Sequence, residues 1–317
     1  MFSWQSCLTA LLAKLVIILK KAYTILPLAA GILFGSVGVF VRTLVAAGFN
    51  NATVLFARTA VAALIIFVFL MVYDRSLLRI RLCDLPLFIG SGVFGMMGLN
   101  LCYNEAINSL SLSLAAVLLS TAPLFVMIAA AFLFDERLTK RKVLCFVAAI
   151  IGCTLASGLF EQSSVSVSVP GVLFGIAAAA FFSFYSVCSR YATDRGYHTY
   201  TVVFYSALFT AIALVPFADY NAIGSFVALD PLGNGFFLVL HALCTSALPY
   251  FFITLGFQRG DAGIVSIITS GAEPTAALMF GLVFFSEVPT PLMLAGFVIV
   301  VSAIIVLSLP QQESEAG

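Results

Sequence analysis

The chain has 317 residues, of which 62% are hydrophobic and only 9% are charged. A soluble domain is about 45–50% apolar and about 25% charged, so this composition cannot cover a surface that faces water. Lysine and arginine total 15 against 14 acidic residues, which leaves a net charge of +1 and no basic surplus for nucleic acid. We therefore expect a protein of the lipid bilayer with no nucleic-acid partner.

The first 21 residues are the least informative part of the chain, because their apolar run is short and is interrupted by Lys14. A secretory signal peptide would need a small-residue cleavage site, which is missing before Lys20 and Lys21. We expect residues 1–21 to form a cytoplasmic or interfacial segment. An over-long start of the sequence explains the same residues.

Ten apolar windows follow, each near the roughly 20 residues that a spanning helix needs. They are continuously apolar rather than alternating, which favours helices over the strands of a β-barrel. The predicted spans are 24–47, 52–73, 84–106, 111–134, 142–160, 171–191, 199–217, 235–256, 262–285 and 290–309. The sequence therefore predicts an all-α integral membrane protein with ten transmembrane helices.

The basic residues predict the orientation. Of the 15 lysines and arginines, 13 lie before span 1 or after spans 2, 4, 6 and 8, and the alternate loops contain none. Loops rich in lysine and arginine stay in the cytoplasm. Both termini, including the tail 310–317, are therefore predicted to be cytoplasmic in a multi-pass protein of the cell membrane.

The polar residues of spans 4 and 9 reveal an internal repeat. Pro123 and Glu136 recur 151 residues later as Pro274 and Glu287. Residues 24–160 and 170–309 thus form two five-helix halves, and an odd number of spans places the second half upside down in the membrane. Secondary transporters are built from such inverted repeats, with the substrate site between the halves.

Short glycine motifs support the repeat and predict close helix packing. Span 1 begins with Gly31–Gly35 (GILFG) and span 6 with Gly171–Gly175 (GVLFG). The segment Gly90–Gly95 fits G-x-G-x-x-G, but it lies inside a span with no preceding strand, so we do not interpret it as a dinucleotide site. Small residues at such spacing let helices approach closely.

These features resemble the drug/metabolite transporter superfamily, in particular its ten-helix permeases with two EamA-type repeats. The residues that carry the resemblance are Thr121–Leu124 leading to Phe134–Thr139, their counterparts Glu273–Pro274 and Phe285–Glu287, Gly152, Gly296, and Arg58 in span 2. The resemblance implies a helical bundle that moves small metabolites, with spans 1–4 and 6–9 around a central cavity. The sequence departs from the pattern of these permeases at Glu105, because an uncharged residue is more usual at that position.

Glu273 is the strongest single candidate for contact with substrate. It lies about eleven residues into span 9, near the bilayer midplane, and Pro274 beside it removes a backbone hydrogen bond. A carboxyl group at this depth is costly and commonly functional, in contact with substrate or a proton. The alternative is a structural carboxyl group that hydrogen-bonds to a neighbouring helix.

Four further polar residues lie at a similar predicted depth near the outer face: Arg42, Arg58, Glu105 and His241. Together they could line a vestibule that binds a carboxylate-bearing or zwitterionic solute, because guanidinium pairs with carboxylate through two hydrogen bonds. A structural Arg–Glu pair, or arginines that extend to the membrane surface, explains the same pattern.

Span 3 carries a polar stripe. Asn100 and Asn104 are four residues apart, and Tyr103 is adjacent. We include all three among the candidate substrate-binding residues, with hydrogen bonding between helices as the alternative. Further possible cavity residues are Tyr185, Tyr205 and Tyr250.

Four residues are candidates for gating or structural roles. Glu136 and Glu287 end spans 4 and 9 on opposite sides of the membrane, and Pro123 and Pro274 lie within those spans. The two glutamates could lock a cytoplasmic and an external gate. Simple solvation of the helix ends is the alternative.

The favoured function is secondary transport of small metabolites by alternating access, with amino acids or similar amphipathic solutes as substrates and export as the expected direction. Seven cysteines without a C-x-x-C pair, and two histidines in all, predict no cofactor and no metal site. The expected partners are a small-molecule substrate and the lipid bilayer, with a monomer or a homodimer as the assembly.

Two alternatives remain open. An intramembrane enzyme acting on a lipid-linked substrate would use Glu273, His241 and Glu105 as acid and base groups, although these residues lie at different predicted depths and form no catalytic motif. A channel or receptor is the third possibility, and the inverted repeat argues against a receptor.

Overall fold

In the computed structural model, residues 24–109, 118–136, 138–156, 168–285 and 290–308 are described. The segment 1–21, the tail 310–317 and Glu287 lie outside these ranges. Within the described ranges the chain forms helices and turns and no strand, as the sequence predicts.

The described residues form eleven helices. They are α1 Thr24–Ala46, α2 Asn51–Tyr73, α3 Leu85–Ser109, α4 Ala122–Leu133, α5 Lys140–Ala156, α6 Val169–Asp194, α7 Thr199–Leu214, α8 Tyr220–Leu229, α9 Pro231–Arg259, α10 Ala262–Phe285 and α11 Pro291–Ser308.

Six of these helices are long and apolar enough to cross a membrane: α1, α2, α3, α6, α7 and α9. Shorter apolar helices are α4, α8 and the Pro291–Val306 part of α11. The count of ten spans stays a prediction. The short helix α8 was not predicted as a separate element: Asp219 caps it by accepting hydrogen bonds from Asn221 N and Ala222 N, and its ten residues are too few to span a bilayer.

Large apolar side chains on the outside of the bundle identify its lipid-facing surface. Val72, Phe132 and Leu232 are each more than 80% exposed, which a water-soluble protein avoids but lipid favours. The interior is instead rich in small residues, among them the fully buried Ala30 and Ala62. Small interior side chains allow the helices to pack closely.

Glycines allow close helix crossings in the bundle interior. A Cβ atom added to Gly31 would lie 2.6 Å from Thr269 O, and one added to Gly35 would lie 2.7 Å from Glu273 O. The backbones of α1 and α10 therefore touch where Glu273 lies, as the GILFG motif predicts. In the same way, the segment Gly90–Gly95 packs closely, since a Cβ on Gly92 would lie 2.6 Å from Ser206 O in α7.

Two helices contain π-helical segments in their interior. Gly90–Gly98 interrupts α3, and Leu243–Ala247 interrupts α9. A π-helical segment changes which side chains face a neighbouring helix and often marks a functional position. Candidate polar residues lie beside both segments: Asn100 follows Gly98 by two residues, and His241 precedes Leu243 by two.

Candidate functional site

Arg58 is a buried cation in the middle of the helix bundle. It belongs to α2 and is only 5% exposed. Its Nη2 donates a hydrogen bond to Asn100 Oδ1 on α3, and Asn100 Nδ2 donates to Met96 O at 2.7 Å. Met96 lies in the π-helical segment of α3, so this segment holds the asparagine that orients the arginine.

Arg58 is only partly satisfied by these contacts. Among the described residues, its Nε is buried and has no hydrogen-bond partner. The guanidinium group has five N–H donors in a planar fork that suits a carboxylate. A buried donor without a partner is uncommon and calls for a physical explanation.

His241 lies near Arg58 and is also unsatisfied. It is fully buried on α9, directly before the π-helical segment, and its ring stacks on Phe40 at 5.3 Å. Neither ring nitrogen has a hydrogen-bond partner within the described part of the chain. His241 interacts electrostatically with Arg58, so two helices direct unpaired polar atoms into one interior region.

A group of aromatic side chains forms the adjoining wall. Tyr250 on α9 interacts with Arg58, Asn100 and Glu273, and its ring packs edge-on against Tyr185 at 5.0 Å. Phe34 of α1 makes a similar contact with Tyr250 at 5.1 Å. The aromatic rings surround the polar groups with apolar surface, as is usual in a small-molecule site.

A hydrogen bond fixes this wall: the Tyr185 and Thr254 hydroxyl groups lie 2.8 Å apart. Both tyrosines are possible cavity residues from the sequence: Tyr250 interacts with Arg58, and Tyr185 packs against Tyr250. Tyr205 instead donates to Leu78 O at 2.7 Å, in the loop after α2. Tyr205 therefore belongs to a different region of the molecule.

Glu273 faces the same interior from α10. It interacts electrostatically with Tyr103 on α3 and with Tyr250 on α9, and its backbone is held by the close crossing with α1. Pro274 follows it inside a continuous helix. Pro123, its sequence counterpart, instead lies in the first turn of α4, so the two prolines have different local geometries.

Arg42 and Glu105 are exposed, and Asn104 is half-buried. Of the four residues expected in an outer vestibule, the structure brings Arg58 and His241 together inside the bundle. Helix geometry explains the position of Glu105, since five residues separate it from Asn100 and about 140° of rotation places the two on different faces. Their common depth stays a prediction, and rotation about the helix axis separates Glu105 from Asn100.

A second polar cluster joins three helix ends. Glu136, after α4, accepts a hydrogen bond from Ala262 N at 2.9 Å, and its Oε2 lies 3.8 Å from Lys142 Nζ. Lys142 at the start of α5 pairs with Asp261, which caps α10 by accepting from Ile264 N at 3.0 Å. Burial, and then the neighbouring Asp261 carboxylate, raises the pKa of Glu136 to about 7.

Arg190 is a functional candidate that the sequence analysis used only for orientation. From the end of α6, its Nη1 donates to Phe257 O at 2.6 Å and Gly260 O at 2.8 Å. Its guanidinium group also lies over the Phe134 ring, 5.7 Å from the centroid. Arg190 thereby ties α6 to the ends of α4 and α9, and an arginine near a helix end gives no sequence signal for such partners.

No group of three His, Cys, Asp or Glu residues within the described part of the chain is arranged to hold a metal ion. The fold and the interior site define the class of protein: a multi-pass helical membrane transporter with a small, partly polar interior site. The chain belongs to the EamA-like transporter family, whose model matches residues 21–158 and again residues 169–309.

Curated relatives cover nearly the whole chain. The pseudopaline exporter CntI of Pseudomonas aeruginosa is 28% identical over 294 residues, which is 93% of this chain and 98% of the relative. An uncharacterized transporter of Archaeoglobus fulgidus is 26% identical over 281 residues, covering 87% and 93%. The family and these relatives are transporters rather than enzymes, so the chain is a membrane transporter of small metabolites.

The fold is similar to that of a solved crystal structure. It superposes with a TM-score of 0.72 at 20% sequence identity, and the match covers 90% of this chain and 96% of the other. At 20% sequence identity, the similarity applies to the arrangement of the helices alone. It supports the helical architecture described above.

Proposed function

We propose that the protein exports a small amphipathic metabolite with at least one carboxylate group, and that it does so by alternating access. The observation that carries this proposal is the pair of buried, unsatisfied polar groups, Arg58 Nε and both ring nitrogens of His241. A solute carboxylate would accept from Arg58 Nε–H and from the one N–H of a neutral His241 ring, and a donor group of the solute would satisfy the other ring nitrogen. Export is the direction named for the Pseudomonas aeruginosa relative.

The proposed binding mode uses opposite charges on two sides of one site. Arg58, oriented by Asn100, binds the carboxylate, and charge-assisted hydrogen bonds of this kind are stronger than neutral ones. Glu273 faces the same interior from α10 and binds a cationic amino group or a proton. Tyr250 interacts with both Arg58 and Glu273, and Tyr103 interacts with Glu273, so the site suits an amino acid or a similar zwitterion.

Correspondences between the two halves support alternating access. The family model matches the chain twice. A Cβ on Gly35 would lie 2.7 Å from Glu273 O, and a Cβ on Gly175, its counterpart in the second motif, would lie 2.6 Å from the Leu118 side chain. Leu118 lies four residues before position 122, the counterpart of Glu273 at the offset of 151. The contact of α1 with α10 therefore corresponds, by the repeat, to the contact of α6 with the segment before α4. Such a correspondence is expected if two inverted halves pack in the same way.

The π-helical segments show the same correspondence. Shifted back by 151 residues, Leu243–Ala247 becomes 92–96, which lies within Gly90–Gly98. Each half therefore has one irregular helix beside the interior site. Irregular backbone at membrane depth is typical where a helix lines a binding site.

The cluster of Glu136, Lys142 and Asp261 is the proposed cytoplasmic gate. It links the end of α4, the start of α5 and the start of α10, so α4 and α10 cannot separate there while it is intact. By the repeat, Glu287 would serve the external gate.

The function is tested by counterflow in proteoliposomes loaded with a mixed pool of amino acids, organic acids and nucleoside-like metabolites, with mass spectrometry as the readout. Saturable exchange confined to carboxylate-bearing solutes is the expected result. Exchange of neutral solutes alone, or no saturable exchange by folded protein across the pool, would contradict the proposal.

Coupling to protons is tested separately at Glu273. If this carboxyl group carries the proton, Glu273→Gln is expected to stop accumulation driven by a pH gradient while solute exchange continues. Accumulation that survives in the variant would exclude Glu273 as the proton carrier.

A further inference from the structure

A basic pocket shares no lining residue with the interior site and lies at the face that the lysine and arginine pattern places in the cytoplasm. Its volume is about 380 Å³, and its lining includes Arg79, Arg81, Arg195, Tyr197 and His198. These residues come from the loop after α2 and from the connection between α6 and α7. Neither the transport site nor the proposed gate uses them.

Hydrogen bonds hold the walls of the pocket in place. Thr201 donates to Leu77 O at 2.8 Å, which ties the loop after α2 to α7. The Tyr197 hydroxyl accepts from Arg81 N at 3.1 Å and donates to Asp84 Oδ2 at 2.6 Å. The pocket is therefore a fixed feature of the fold rather than a chance gap between loops.

The charges in the pocket do not balance. Asp84 is 2% exposed and pairs with Arg195, so this carboxylate neutralises one guanidinium group. Arg79 and Arg81 have no carboxylate within ion-pairing distance among the described residues. The lining thus carries three guanidinium groups, and Asp84, which also interacts with Arg81, sets a single negative charge against them.

Two further features favour an anion at this position. The N-terminus of α7 begins at Thr199, beside the pocket, and directs its partial positive charge there. His198 Nδ1 accepts a hydrogen bond from Tyr200 N at 3.3 Å. The proton of a neutral His198 ring therefore lies on Nε2, which leaves that nitrogen as a donor.

Exposed apolar side chains that flank the arginines in the chain indicate which anion fits. Val72 and Leu82 are 85% and 84% exposed, and Tyr73 is 66% exposed. Arg79 and Arg81 lie between these positions in the chain, at the end of a lipid-facing helix. A ligand with a phosphate for the arginines and acyl chains for the apolar side chains would satisfy both surfaces.

We propose that this pocket binds the phosphate headgroup of an anionic phospholipid. Basic pockets between transmembrane helices commonly bind anionic headgroups, and each basic residue near the surface contributes about fivefold in affinity. The site is distinct from the transport site, so its occupancy would stabilise the junction of α2, α6 and α7 rather than select the solute.

The test uses the full chain in detergent, titrated with phosphatidylglycerol or phosphatidylcholine and measured by native mass spectrometry. The test variant is Arg79→Gln/Arg81→Gln. The matched control is Lys140→Gln/Arg259→Gln, which removes two exposed charges from the same predicted face. A third variant, Arg79→Lys/Arg81→Lys, retains the charge.

We expect the test variant to lose affinity for phosphatidylglycerol by about 25-fold, the control variant by less than about twofold, and the lysine variant by an intermediate factor. Phosphatidylcholine is expected to bind weakly to all of them. Equal losses in the test and control variants, or equal binding of the two lipids, would overturn the proposal.

Two measurements keep the outcome interpretable. An unchanged unfolding temperature in the absence of added lipid shows that the test variant is folded. If the test variant is not folded, the affinities of the lysine variant and the wild-type chain are compared instead. Glycerol 3-phosphate carries the phosphate without acyl chains and is expected to compete only weakly. Competition as effective as that of the lipid would assign the pocket to a soluble phosphorylated compound and overturn the lipid assignment.

Discussion

Replacing Gly35 with alanine tests whether the close crossing of α1 and α10 positions the interior site. The added Cβ would lie 2.7 Å from both Ala276 Cβ and Glu273 O, and 2.8 Å from Ala277 N. Ordinary contacts begin near 3.4 Å, so α1 would have to move by about 0.7 Å. Two of the three atoms are backbone atoms of a packed helix, which cannot rotate away.

Gly38 provides the matched control, because a Cβ there meets nothing within 4 Å. Both substitutions gain up to about 1 kcal/mol of helix propensity. Only Gly35→Ala adds an overpacking cost, about 1–3 kcal/mol. Gly35→Ala should therefore be less stable than Gly38→Ala by about 1–3 kcal/mol.

The assay is thermal and detergent-induced unfolding of both variants in the same micelles, with counterflow measured at equal protein. Gly35→Ala should also exchange solute more slowly, since the crossing holds Glu273. Equal stability and equal exchange in the two variants would refute the claim that this contact positions the site.

Three further results are expected. The proposed gate closes around the Glu136 carboxyl group, whose pKa is raised to about 7. Protonation of this group therefore favours the closed gate at low pH, and the effect is lost as the pH rises from about 4.5 through 7. Glu136→Gln should flatten the pH dependence of exchange in that window, and an unchanged profile would refute the assignment. His241→Phe should keep or raise the unfolding temperature, because it removes two ring nitrogens without hydrogen-bond partners, and it should slow exchange. A large fall in the unfolding temperature would instead indicate a structural histidine. Tyr185→Phe should cost about 1 kcal/mol of stability through the lost bond to Thr254, whereas a neutral effect in unfolding measurements would mean that water satisfies that hydroxyl group.

The sequence gives a prediction of depth along a helix but little signal for direction around it. Apolar length sets the span limits, so Arg58 and His241 are predicted at one level, and the structure shows that the two interact. Arg42 and Glu105 are predicted at the same level but are exposed, since near-uniform apolar helices give little signal for rotation.

Contacts between distant segments were also beyond sequence reasoning. The GILFG motif predicts a close crossing, but its partner at Glu273 lies more than 200 residues away. The π-helical segments of α3 and α9 have no clear sequence signal, because i+4 and i+5 hydrogen bonding suits the same apolar residues. Pro123 and Pro274 match in sequence, yet only Pro274 lies inside a continuous helix.

The central claim is that Arg58 binds a carboxylate in the transport site. The direct measurement is the half-saturation concentration for counterflow of the transported acid and of its amide, in the wild-type chain and in Arg58→Gln. A charge-assisted hydrogen bond contributes about 1.5–3 kcal/mol, so the variant should bind the acid about 10- to 100-fold more weakly and the amide almost unchanged. An equal loss for acid and amide, in folded protein, would contradict the account.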